Sequence, residues 1–389
     1  MHKKVWLRKA LVMSRLFLLV ILLGSWGFAQ KGFAQSVITG TADSRLTASV
    51  MGVFDDPWAM TFIDKDHLLI TTKPGQLWLY RLYGERVAVA GVPKVSAAGQ
   101  GGLGDIITHP DYQSNQRVYL SFVASDDGGN SSYAAVISAK LELEPSPKLI
   151  DHKLIWRQYP PLSGGGHFSH RLVFGPKDTA YAGQLFITSG DRQRLHPAQD
   201  FDLSLGKIIR VDEHGHPPKD NPFQDKGALA KHFWTMGHRN LLGIAFDNNG
   251  QLWAHEMGPR HGDELNQIIK GGNYGWPIVS EGNHYNGTHI PNHETRPEFI
   301  PPELAWVPTI APSGLIFYSG DLFPEWRGNA FIGGLRSRAL IRVAFVNGHP
   351  VEAERFSWSM RLREVEEAPD GALFVLEDGV SARLIRLVP

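Results

Sequence analysis

Three consecutive glycines, Gly164 to Gly166, stand directly before His167 in the stretch SGGGHFSHRLVFGPKD. A chain that strips side chains away beside an imidazole leaves room for a large group to approach the one side chain that exchanges protons near neutral pH. The plain alternative is a loop on which His167 falls by accident, since loops tolerate such composition. Two other stretches spell known motifs without the context their chemistry needs. HEMGPRH, His255 to His261, resembles a zinc signature, but Gly258-Pro259 would break the helix that must carry its histidines. GQGGLG, Gly99 to Gly104, fits the G-x-G-x-x-G spelling, yet strand-like DIITHP follows it and offers no helix N-terminus to a phosphate. A denser block from Thr235 to Pro277 gathers Arg239, Asn240, Asp263, Glu264 and Tyr274 around two glycine turns. Taken singly, Asp263 and Glu264 read as solvated loop charges.

These residues sit at the junctions of a repeated phrase: an apolar strand, a turn with Asp, Asn, Gly or Pro, and a second apolar strand. Its six copies are AMTFIDKDHLLITT, DIITHPDYQSNQRVYLSFV, RLVFGPKDTAYAGQLFITSGD, GIAFDNNGQLWAHEMG, GLIFYSGDLFPEWRGNAFIGG and EVEEAPDGALFVLED. Each is followed by more alternating strand, and turn dipeptides such as Asn249-Gly250 and Asp370-Gly371 favour hairpins. Four strands repeated six times predict an all-β fold, a six-bladed β-propeller in which neighbouring blades cover each other's faces and ring closure protects the edges. A pair of β-sandwiches is the rival architecture.

The 389 residues carry 39 basic and 39 acidic side chains and no cysteine. Zero net charge gives no reason to expect nucleic acid as a partner, so an anionic ligand must be held by a local cluster of cations. A Lys- and Arg-rich start precedes an uncharged run from Leu16 to Gln30. That run is short for a bilayer span of ~20 residues but suits a secretory signal. Residues 1–35 therefore read as a removed export signal and residues 36–389 as a single propeller domain, periplasmic or secreted. Without cysteine, stability there must come from packing or metal ions.

Gly99-Gln100 with HPDY, HFSHRLVFGP, GHRN, EMGP with GDELN, KGGNYGWP, PTIAPSG, GGLRSR and MRLREV recur in this order over nearly all of the chain from about residue 50. In these motifs the sequence resembles the glucose/sorbosone dehydrogenase family, soluble quinoprotein sugar dehydrogenases that use pyrroloquinoline quinone (PQQ). The resemblance implies a six-bladed propeller with PQQ, a flat tricarboxylated ortho-quinone, across the mouth of its channel. It implies that Gln100, Arg239 with Asn240, Tyr285, the run Arg336, Ser337, Arg338 and the run Arg361, Leu362, Arg363 surround the cofactor. The planar fork of arginine suits carboxylates. Any one of these arginines alone reads as a surface salt bridge; three clusters from different blades in a neutral chain require an anion.

The resemblance further implies that His167 is the general base for the anomeric hydroxyl of an aldose sugar, with Gln100 orienting that hydroxyl. Backbone carbonyls of Gly258 and Pro259 would bind a Ca²⁺ that touches the quinone, and Glu264 and Tyr274, with Asp263 a weaker candidate, a further Ca²⁺. A cysteine-free chain has no C-x-x-C-H haem motif, so electrons would leave to an external acceptor, a quinone, cytochrome or dye. A monomer or homodimer is expected. The chain departs from the family pattern at Gly166, where glucose-oxidising relatives place aspartate, at His170, where many have glycine, and at Arg336, where some have lysine. Two other functions stay open: a sugar- or protein-binding propeller without cofactor, and a calcium-dependent propeller lactonase, which would need a ring of Asp, Asn and Glu in the channel.

Overall fold

A computed structural model describes residues 35–389; the proposed export signal lies, but for its last residue, outside them. Six antiparallel sheets follow one another, and the six quoted phrases fall on the hairpins that join the innermost strand of each blade to the second. The inner strands are Pro57–Phe62, Leu103–Thr108, Ser169–Phe174, Leu241–Phe246, Pro312–Phe317 and Leu362–Glu367. Each contacts the next, and the sixth contacts the first. The expected six-bladed β-propeller is the observed fold.

Six hydrophobic clusters hold the ring, and each lies between two neighbouring blades. Leu69 and Leu77 of the first blade, for example, meet Leu120 and Ile137 of the second. No blade buries its faces alone, which is why the phrase must repeat until the ring closes. The closure uses both ends of the described chain. In the sixth blade the order is Gln35–Thr39, Arg45–Phe54, Ala382–Val388, Leu373–Glu377, Leu362–Glu367, with Thr47 opposite Val388 and Phe54 opposite Ala382.

All six inner strands share an irregularity near their start. Their register against the second strand shifts at Trp58, at Gly104-Asp105, at His170-Arg171, at Leu242, at Ser313-Gly314 and at Arg363. A bulge re-aims side chains that a regular strand would direct into the sheet packing. Here the bulges gather polar groups at the axis. The buried guanidinium of Arg171 lies over the Trp58 ring at 4.1 Å, donates from Nε to the Leu242 carbonyl at 2.9 Å, and pairs with Asp105 at 3.5 Å and with Glu364. One side chain of the third blade thereby joins the first, second, fourth and sixth.

Burial raises Glu364 to about 7 and lifts Asp105 above its ordinary value, with Arg171 opposing both shifts. Arg171→Met would leave these carboxyls without their counter-charge, and we expect it to destabilise the fold by about 3–5 kcal/mol near pH 7.5. Because the folded-state pKa values already lie above the unfolded ones, the deficit should shrink as pH falls toward 5 and the carboxyls take up protons. Urea unfolding of both proteins at the two pH values measures this; a deficit independent of pH would refute the charge explanation.

Candidate active site

The bulges open into a cleft of about 700 Å³ at the end of the axis where the inner strands begin. Its floor is flat and uncharged. Trp58 and His170 stack there at 5.1 Å and 12°, and burial, followed by the Arg171 charge, pushes His170 down to about 3, so its ring is neutral at ordinary pH. His170 Nδ1 is fixed by Ser121 Oγ at 2.8 Å.

The wall is cationic. Among the described residues, Lys73, Arg336, Arg338, Arg361 and Arg363 face the cleft against Asp56 and Asp378, an excess of three positive charges. Asp378 ties two of them together, accepting Arg361 Nε at 2.9 Å and Arg363 Nη2 at 2.6 Å. Arg336, Ser337 and Arg338 form the turn after Ala330–Gly334, docked through the Arg336 and Ser337 amides onto the Ile310 carbonyl. Of the residues expected around the ligand, Gln100, Arg336, Arg338, Arg361 and Arg363 line the cleft, Arg239, Asn240, Tyr285 and Ser337 do not, and the Leu362 side chain is fully buried in the core between the fifth and sixth blades. A planar, uncharged floor beneath a triply positive wall fits a flat anion bearing about three charges.

His167 lies beside the cleft rather than in its lining, at the end of the glycine loop, and is 6% exposed. Its Nδ1 is 2.7 Å from Asp191 Oδ1, while Asp191 Oδ2 accepts Trp276 Nε1 at 2.8 Å. A carboxylate can only accept, so the Nδ1 proton faces it and Nε2 is left as the basic nitrogen. Burial lowers the His167 pKa, Asp191 raises it, and Arg239 lowers it again. The His167 amide donates to Gln100 Oε1 at 2.8 Å, and the Gln100 amide to the Gly165 carbonyl at 2.6 Å.

Arg192, next to Asp191, is buried against the Phe168 ring at 3.8 Å and donates to the carbonyls of Ser132, Leu162, Gly164 and Gly166. The glycine loop is therefore stapled and not floppy. Asp191 and Arg192 escaped the sequence reading; the only local signal was the SGD ending of the third repeat, where the chain leaves its second strand.

Arg239 is buried, donates to the carbonyls of Met257 and Gly258 at 2.9 and 2.8 Å, and stands over Trp276 and the exposed Tyr285. Its Nε has no hydrogen-bond partner among the described residues. Asn240 Oδ1 accepts Ser169 Oγ at 3.2 Å at the rim of the cleft. The four residues expected at metal ions, Gly258, Pro259, Glu264 and Tyr274, line one small cavity of about 10 Å³ together with Glu256. The two positions that the resemblance implies for Ca²⁺ thus adjoin one void.

Glu264 is neither solvated nor in a loop. It lies in strand Asp263–Gln267, and burial, then Glu256 and Glu281, push its pKa well up. A cation would relieve that burden, although no group of three or more His, Cys, Asp or Glu side chains is arranged for a metal among the described residues. The Tyr274 hydroxyl is spent on the Gln267 carbonyl and the Ile269 amide, so an ion would have to use its backbone carbonyl, which already lies 3.1 Å from His293 Nε2. Asp263, read as a surface charge and weaker ligand, is buried and accepts the amides of Gly258, Ile310 and Ala311, so it braces the loops around the cavity.

Residues 54–386 match the family model described as glucose/sorbosone dehydrogenase. The chain belongs to this family. It is 38% identical over 345 residues to the aldose sugar dehydrogenase YliI of Escherichia coli K12, covering 86% of this chain and 90% of that one. The solved structure of the soluble aldose sugar dehydrogenase of E. coli in its apo form superposes with a TM-score of 0.81 at 35% identity, over 88% of this chain and 99% of the other. The PQQ-bound form of an aldose sugar dehydrogenase from Streptomyces coelicolor gives 0.71 at 25%, over 88% and 98%. Membership of this family makes the chain an oxidoreductase.

Asp191→Asn removes the group that holds the His167 pKa up. The imidazole should then lose its proton at still lower pH. Titration of the His167 ring signals by NMR measures this, and a midpoint that stays or rises would show that the pair is not coupled.

Proposed function

We propose that the protein is a PQQ-dependent aldose sugar dehydrogenase, exported from the cytoplasm, that oxidises the anomeric C1 hydroxyl of an aldose to the lactone and passes two electrons to an external acceptor. The observation that carries this reading is the triply positive cleft over a flat neutral floor, set beside a histidine with its own carboxylate. PQQ bears three carboxylates on a planar ring system, and when bound it supplies an electron-poor quinone that takes the C1 hydrogen as hydride.

The chain's own residues do the rest. Arg361 and Arg363, with Arg336 and Arg338, hold the carboxylates, and their mutual repulsion is relieved by the anion they enclose. His167 Nε2 receives the proton of the C1 hydroxyl as the carbonyl forms. Asp191 stabilises the imidazolium that results, and Trp276 keeps that carboxylate from turning. The low pKa of His167 keeps the base unprotonated at neutral pH. Gln100 bridges the glycine loop and His167 and lines the cleft, a position suited to orienting the substrate hydroxyl. A Ca²⁺ at Gly258, Pro259, Glu264 and the Tyr274 carbonyl would neutralise the buried carboxylates, in competition with the Arg239 contact to the Gly258 carbonyl.

Purified apo-protein given PQQ and Ca²⁺ should reduce a dye with a panel of aldoses, and a chelator should remove this activity slowly. His167→Ala should lose turnover by at least about 10³-fold while still binding PQQ. Arg361→Ala and Arg363→Ala should each weaken PQQ binding by about tenfold or more, followed by fluorescence titration. Binding of sugar without turnover in the loaded wild type would mark a binding propeller instead. Unaltered PQQ affinity in both arginine variants would remove them from the site.

A further inference from the structure

The turn from Asp191 to Arg194 supplies four consecutive polar side chains to the neighbourhood of His167, and three of them are committed. Asp191 binds the imidazole and Trp276. Arg192 binds the carbonyls of the glycine loop, and Arg194 Nη2 donates to the Ser163 carbonyl and hydroxyl at 3.0 and 3.2 Å. Gln193 alone has a side chain with no hydrogen bond among the described residues; only its backbone amide is used, donating to Asp191 Oδ1 at 2.8 Å. It is exposed, and it sits at φ 58°, a left-handed backbone that this amide bond helps to hold.

The free carboxamide is not pointing at random. A Cβ placed on Gly166 would come within 2.5 Å of Gln193 Cδ and Oε1 and 2.9 Å of Nε2. The Gln193 amide therefore occupies the space that the missing side chain at 166 leaves, one residue before His167. A single carboxylate oxygen, Asp191 Oδ1, separates the imidazole Nδ1 from the Gln193 backbone nitrogen. The bare glycine, fixed by Arg192 through its carbonyl at 3.0 Å, is what allows this approach.

We propose that Gln193 is a specificity-determining residue that reads the sugar hydroxyl vicinal to the one His167 deprotonates. This rests on the aldose dehydrogenase reading above. A carboxamide carries one acceptor and two donors without charge, the complement of a hydroxyl that both donates and accepts. In a pyranose the only hydroxyl-bearing neighbour of C1 is C2, so the ligand chemistry is a 2-hydroxy aldose. A site that hydrogen-bonds a substrate hydroxyl discriminates against the analogue lacking it, because its polar group is then left unpaired.

The test uses the PQQ-loaded, full-length protein with glucose and 2-deoxyglucose, comparing wild type with Gln193→Ala and Gln193→Glu. Both substitutions retain a Cβ, so they add no strain to the left-handed backbone. The ratio of kcat/KM for glucose over 2-deoxyglucose should fall by about tenfold in Gln193→Ala. The pH profile set by His167 and Asp191 should stay where it is. Binding of 1,5-anhydroglucitol, which keeps the 2-hydroxyl but has no anomeric hydroxyl to oxidise, should weaken by a similar factor in tryptophan fluorescence titrations. An unchanged ratio with wild-type turnover intact overturns the role of Gln193 and leaves the dehydrogenase reading standing. Equal losses on both sugars, or a displaced pH profile, mark a structural effect and also overturn it. No aldose oxidation by the loaded wild type overturns both readings.

Discussion

The structure depends on a buried guanidinium at the axis. Hydrophobic packing between blades is strong but non-directional, and by itself it does not fix how six similar sheets are rotated and staggered about a common centre. Arg171 supplies direction. Its contacts to Trp58, Asp105, the Leu242 carbonyl and Glu364 can be made together only when four other blades present those groups at the correct height. Removing such a charge from water is costly, and a buried ion pair contributes little net stability for that reason. Its contribution is to specify one arrangement, and the floor of the cleft is built on that arrangement, since the Trp58 ring that carries Arg171 also stacks with His170.

The bulges explain how a repetitive fold acquires an asymmetric site. A regular inner strand alternates between its two faces, so a ring of six would present six similar edges to the channel. Shifting the register at the start of each inner strand frees one or two residues per blade from that alternation, and the chain spends those positions differently: Trp58, His170, Leu242 and Arg363 line the cleft, while Asp105 and Arg171 turn to the axis. Strained backbone concentrates nearby. His167, Ser169, His170, Arg192, Gln193 and Leu195 all have positive φ without being glycine. Such conformations cost roughly 1–3 kcal/mol each and persist where surrounding bonds over-determine them. Here the Arg192 staple, the Gln100 bridge and the Asp191 carboxylate are those bonds.

The repeat was legible in the sequence because alternation and turn dipeptides are local properties, and each quoted phrase became a hairpin. The closing partner was not: Arg45–Phe54 pairs on one edge with its sequence neighbour Gln35–Thr39, but on the other with Ala382–Val388 across the whole chain. The same distinction runs through the site. His167 was marked by its glycines and the arginines by their clustering, both local. Asp191 reaches His167 from another hairpin turn, and Arg171 reads as an ordinary strand residue until the other blades surround it. Leu362 was carried along by its neighbours Arg361 and Arg363, although strand alternation sends the residue between them to the opposite face. Asp263 looked like a surface charge because nothing local shows that three backbone amides from two loops converge on it.

A neutral chain with a triply positive cleft also constrains how the site selects its ligand. At physiological ionic strength an exposed charge is screened beyond about 8 Å, so the wall exerts little pull on anions at a distance. Attraction must be realised at contact, where the excess charge is spread over separate side chains at fixed positions and Asp378 holds Arg361 and Arg363 together on one face. A single small anion can satisfy one or two of those cations and leaves the others repelling each other. A rigid plane carrying three anionic groups satisfies them together and covers Trp58 and His170 in the same step. Charge alone would make the cleft a general anion trap; under the proposed function the flat floor would make it selective, and Trp58, which Arg171 covers, is part of that floor.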